Sequence, residues 1–111
     1  MRTVTVVINT AKIGDGDSFH AEFAKMMGFP DSYGRNADAW IDCMSDLGDP
    51  DTGMTKFSVA ADEICIIEVL FSEDFSRRLP DIFSALVGGT AAVNQRAKAA
   101  GRSPLLALAF S

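Results

Sequence analysis

The sequence predicts an α/β domain: a small parallel β-sheet of three strands flanked by helices, with Thr55–Val59 a candidate for one extra edge strand. Three observations predict it. Apolar segments of strand period and of helix period alternate along the chain in the order β, α, α, (β), β, α, β. Strands that alternate with helices are joined by crossovers, which imply parallel pairing, right-handed connections and helices on the faces of the sheet. The 111 residues suffice for one hydrophobic core and not for two, so residues 1–111 form a single domain.

Each element has its own warrant. TVTVVI, with Val4 to Ile8, is a β-branched run suited to a strand buried on both faces. Asn9 to Gly16 is rich in turn residues. Asp17 or Ser18 is a good N-cap for a helix that carries Phe19, Phe23, Met26 and Met27 on one side, with Gly28 placed to end it. Pro30 opens the next connection. Asn36 caps a second helix, on which Ala37, Trp40, Ile41, Met44 and Leu47 make a continuous apolar stripe. GDPDTG, residues 48–53, is a loop, and the AADE before the next strand could turn a hairpin. Ile64 to Leu70 (ICIIEVL) is a strong strand, and Glu73 to Arg78 a helical turn. Pro80 suits the first position of a last helix. Its stripe of Ile82, Leu86, Val93, Ala97 and Ala100 stays in phase across Gly88-Gly89, so one helix is predicted, ended by Gly101. Leu105 to Phe110 is a closing strand.

Composition excludes several classes. The chain is 48% hydrophobic and 23% charged, as an ordinary globular domain is. No apolar run reaches the ~18–20 residues of a membrane span. The N-terminal stretch alternates like a strand and is apolar for too few residues to be a signal peptide, so a cytoplasmic protein with no membrane partner is expected. Cys43 and Cys65 have no CxxC or Cys/His company and read as buried thiols. GDGD at 14–17 lacks the remaining ligands of a calcium loop and reads as a turn with a helix cap. GGT at 88–90 lacks the lysine of a phosphate loop. His20 has no partner nearby in sequence and reads as a surface histidine. No metal and no cofactor are expected.

The charge is the informative part. The net charge is −5, and residues 31–51 hold all of it: six aspartates (31, 38, 42, 46, 49, 51) against Arg35 alone, with nine acidic and nine basic residues elsewhere. No basic face offers counterion release, so nucleic acid is not an expected partner. Asp38, Asp42 and Asp46 recur at four-residue spacing off the apolar stripe of the second helix, where like charges repel by a few tenths of a kcal/mol per pair. Asp38 gains from the positive end of the helix dipole; Asp42 and Asp46 gain less with each turn. Such a face is solvated surface, a cation site, or a contact for something positive. As an acid–base pair, Asp38 and Asp42 would lie on an exposed face, without the apolar surroundings of a catalytic acid.

The segment FPDSYGRNADAWIDCM, Phe29 to Met44, resembles the hallmark of the barstar family, intracellular inhibitors of the secreted ribonuclease barnase. Pro30, Asp31, Tyr33, Gly34, Asn36, Asp38, Ala39, Asp42 and Cys43 match the family pattern over 14 positions, and QRAKAAG at 95–101 extends the likeness more loosely. The resemblance implies the barstar-like fold and a protein that is not an enzyme. It implies that the loop at Tyr33-Gly34 and the helix after it block a basic nuclease active site, with carboxylates in place of RNA phosphates. Asp42 would be the central anion and Asp38 its neighbour. Asn36 would shape the loop and cap the helix; Tyr33 and Gly34 would form contact surface, with Ala39 and Asp46 on the same face. The expected partner is therefore an extracellular-type ribonuclease or another nuclease toxin with a basic active site.

The sequence also departs from the family. Ser32 replaces the first of two tyrosines, and Ile41 stands where the interfacial tryptophan falls. Arg96 and Ala100 occupy two positions on the last helix that are acidic contacts in the family. Three functions follow: an inhibitor or immunity-type protein, a barstar-fold interaction module with a partner other than a barnase, and an enzyme using Asp38 and Asp42 with a bound cation. The first demands that the carboxylates project together and are not neutralised by the chain's own arginines.

Overall fold

In the structure, a computed structural model that describes residues 2–111, three parallel strands lie in the order β1-β2-β3: β1 (Arg2–Asn9), β2 (Glu63–Leu70) and β3 (Leu106–Phe110). Val6 stands beside Ile67, and Cys65 beside Leu106. The helices are α1 (Gly16–Met27), α2 (Ala37–Ser45), α3 (Ser72–Arg78) and α4 (Pro80–Ala99).

The expectation that β1 is buried on both faces is wrong. Val6, Ile8, Cys65, Ile67, Val69 and Leu106 are buried on one side of the sheet. On the other, Thr3, Thr5 and Val7 are exposed, and Ile64, Ile66 and Glu68 are half-buried. Strand order explains the difference. Two crossovers of the same hand that step in the same direction put their helices on the same face. The molecule therefore has two layers, one of sheet and one of helices. The threonines of TVTVVI are the residues that read out the open face.

Thr55–Val59 is not a strand, and no hairpin precedes β2. The Lys56 N–H donates to Met27 O and the Val59 N–H to Leu47 O, both at 2.8 Å, so this loop folds back on the ends of α1 and α2. A Cβ on Gly28 would come within 2.6 Å of Lys56 Cβ, and Gly28 sits at φ 70°, so glycine is required there twice over.

The helix starts follow hydrogen bonding. The α1 cap is Asp15 rather than Asp17 or Ser18. Its carboxylate accepts the Ser18 N–H at 2.8 Å, and Ser18 Oγ accepts the Asp15 N–H at 3.0 Å, a reciprocal capping box. Asn36 caps α2 as expected, accepting from the Ala39 N–H at 2.8 Å. α4 runs unbroken through Gly88-Gly89. Asn94, in its second half, holds the entry to β3: its Oδ1 accepts from the Leu105 and Leu106 N–H groups, both at 3.0 Å.

The core joins the layers. Phe23, Met27, Met44, Leu47, Ile67, Val69 and Val93 are fully buried. Trp40 meets Phe23 edge to face at 5.5 Å. Cys43 and Cys65 are free, buried thiols. No helix among the described residues is long and apolar enough to cross a membrane.

Candidate functional site: the acidic face of α2

The apolar stripe of α2 decides which way its carboxylates point. Trp40, Cys43 and Met44 are buried, while Asp38 and Asp42, one turn apart, are exposed. Burial of one face against α4 and the core thus leaves the acidic face outward on a helix that packing holds still.

The loop before α2 is built to deliver that helix. The Tyr33 N–H donates to Pro30 O at 2.9 Å, closing a turn. Arg35 takes a left-handed conformation at φ 51°, and Asn36 Nδ2 donates to Gly34 O at 3.3 Å. Gly34, Arg35 and Asn36 are exposed; Ala39 is half-buried.

Tyr33 is placed differently from the sequence expectation. It is only 9% exposed. Its ring lies on Phe29 at 4.7 Å and its hydroxyl is hydrogen-bonded to His20 Nδ1. Tyr33 therefore ties the loop to α1 instead of offering its ring as contact area. His20, in turn, is a half-buried partner rather than a free surface group. Burial is the main cause that holds the His20 pKa below its usual value, with Arg35 adding to it and Asp17 opposing. Burial likewise raises the Tyr33 pKa. Burial thus favours the neutral form of both side chains.

The carboxylates divide into three environments. Asp38 makes no ion pair or side-chain hydrogen bond among the described residues, so its charge is free. Asp42 accepts a hydrogen bond from Arg96 Nη1 at 2.8 Å, with the two side chains 62% and 55% exposed. Asp46 is half-buried at the end of α2. Its carboxyl is held above the usual carboxylate range first by burial, then by Asp49 and Asp42, with Arg96 opposing. A second arginine lies close by: a Cβ on Gly48 would stand 2.0 Å from Arg102 Nη1.

So the demand that the carboxylates escape the chain's own arginines is met at Asp38 and not at Asp42, which pairs with Arg96. An exposed ion pair of this kind contributes about 0–1 kcal/mol, too little to lock Asp42 against a competing cation. It does change the pattern of charge, from a row of negatives to a row with a positive group beside Asp42. Local sequence carried no sign of the pairing, since the partners are 54 residues apart. The signal in the sequence was the family resemblance, which puts Arg96 at a contact position on the same surface as Asp42; in the structure, Arg96 lies two turns after Gly89, where α4 comes close to Trp40.

Sequence reasoning also missed an apolar cleft of about 350 Å³ beside this face, between α1, α2 and the first half of α4. Phe19, Trp40, Ile41, Ile82 and Gly89 line it, and none of the α2 carboxylates does. Among the described residues, no group of three or more His, Cys, Asp or Glu side chains is arranged to hold a metal ion.

Comparison with known proteins agrees with the motif. A protein-family model described as Barstar (barnase inhibitor) matches residues 3–109 of the chain. Among curated proteins, none matches it.

Proposed function

The chain belongs to the barstar family, and we propose that it is a cytoplasmic, non-enzymatic inhibitor of a ribonuclease or related nuclease toxin, acting by occlusion of a basic active site. The observation that carries this reading is the exposed Asp38–Asp42 edge of α2, presented by a helix whose other face is buried. A nuclease must hold phosphates, so its active site is cationic. Carboxylates one helical turn apart on a fixed scaffold offer that site an anionic surface that cannot be cleaved. The contact surface consists of Gly34, Asn36, Asp38, Ala39, Asp42 and Asp46, with Tyr33 supporting the loop from beneath. Complementary fields speed association and make it sensitive to salt.

The test is titration of the purified protein into barnase and into any nuclease encoded beside its gene, with residual RNA cleavage as the readout. Inhibition is expected. Asp42→Ala should weaken binding by about 2–5 kcal/mol, as when one partner of a desolvated charge pair is removed. Undiminished affinity in that variant would exclude docking through α2.

One observation favours a second reading. Arg96 at 2.8 Å from Asp42 is an unfavourable neighbour for a uniformly basic site. A barstar-fold interaction or immunity module for a partner other than a barnase accommodates it. Recovery of a partner without a basic active site, in a complex disrupted by Asp38→Ala, would select that reading.

A further inference from the structure

The Arg96–Asp42 contact uses one nitrogen of the guanidinium and one oxygen of the carboxylate. Among the described residues, no other hydrogen bond engages either group. Both side chains are more than half exposed. The pair therefore turns spare N–H donors and a spare carboxylate oxygen toward solvent, side by side. Its position is set by packing. A Cβ on Gly89 would lie 2.9 Å from Trp40 Cζ3, so glycine lets α4 approach α2 closely, and two turns further on Arg96 reaches Asp42.

Consider a partner that brings a cation to Asp42. If Arg96 stays, two cations crowd one carboxylate. If Arg96 swings away, the acceptor its own chain offers nearby is Asp46, a half-buried carboxyl at the end of α2, and a charged group still stands at the edge of a closing interface. Either arrangement costs free energy unless the partner supplies an anion. A carboxylate beside the partner's cation removes the cost, because the four charges then alternate around a square.

We propose that Arg96 is the specificity-determining residue of this surface and that it selects a nuclease with a carboxylate adjoining its cationic phosphate site. This rests on the inhibitor reading above and narrows its partner. The partner's charges run positive opposite Asp38, positive opposite Asp42 and negative opposite Arg96.

The test is a charge-swap matrix. Wild type, Arg96→Ala and Arg96→Glu are titrated against barnase and against barnase forms in which each active-site lysine or arginine is replaced singly by glutamate. Circular dichroism melts confirm that the exposed-site variants are folded. At least one reversed barnase should bind wild type about tenfold or more tighter than it binds Arg96→Ala, a coupling ordinary for charges in contact. Unmodified barnase should prefer Arg96→Glu to wild type. Binding of wild type and Arg96→Ala within twofold of each other across the whole set overturns the role of Arg96 and leaves the inhibitor reading standing. If neither wild type nor Arg96→Glu binds any barnase form or any nuclease encoded beside the gene, the inhibitor reading fails and this proposal fails with it.

Discussion

Asp46 shows what the acidic face costs a single residue. It stands among Asp42 and Asp49 and is half-buried, and these causes hold its carboxyl above the usual range. A carboxyl whose folded-state pKa is raised destabilises the fold when ionised. That penalty is complete above the folded pKa and disappears as pH falls below the unfolded one. Asp46→Asn should therefore raise the melting temperature at pH 7 by about 1–3 °C, from a like-charge relief of a few tenths of a kcal/mol after solvent screening. The gain should shrink toward zero as the pH is lowered to about 4, and thermal melts across that range check the sign. Asp46 is thus a residue of the acidic face that folding alone does not favour. The two cysteines are the opposite case. Burial pushes the Cys65 thiol up to about 12, and burial with Asp46 and Asp42 raises Cys43. Neither is poised as a nucleophile.

Among the elements, α4 does most to set the site. Its two central glycines look alike in sequence and differ in space. A Cβ on Gly88 meets nothing within 4 Å, whereas one on Gly89 meets the Trp40 ring at 2.9 Å. Gly88→Ala should stabilise the protein by about 0.5–1 kcal/mol, the ordinary helix gain. Gly89→Ala should destabilise it by about 1–3 kcal/mol through overpacking. Denaturant titration separates the two. Gly89→Ala should also pull Arg96 away from Asp42, since both contacts depend on how closely α4 approaches α2. The loop after α2 follows a related logic. Residues 55–59 have the composition of a strand, yet Met27 and Leu47 carbonyls accept their N–H groups and no strand pairing forms.

Across the whole molecule, what could be read in the sequence is what local periodicity and local capping control. The α2 stripe, the Asn36 cap, the unbroken α4 and the strands at 64–70 and 105–110 are all decided within about a turn or two of chain, and the structure has them there. The acidic face of α2 was legible for the same reason, since carboxylates off an apolar stripe must point outward. The open face of the sheet was not, because it depends on the order in which strands join rather than on any one strand. The His20–Tyr33 bond and the Arg96–Asp42 pair also escaped, because they cross between elements that sequence separates. Net charge was legible as a sum, but its pattern at the site was set by packing.

The occlusion claim is that α2 takes the place of substrate phosphate on its nuclease. The most direct measurement is competition on one ribonuclease that the protein inhibits. Binding is followed by calorimetry while the enzyme is titrated with a nucleoside 3′-monophosphate. The account predicts mutual exclusion, with the apparent dissociation constant rising in proportion to nucleotide occupancy of the active site. A ternary complex, in which this protein binds the nucleotide-filled enzyme with unchanged affinity, would contradict it.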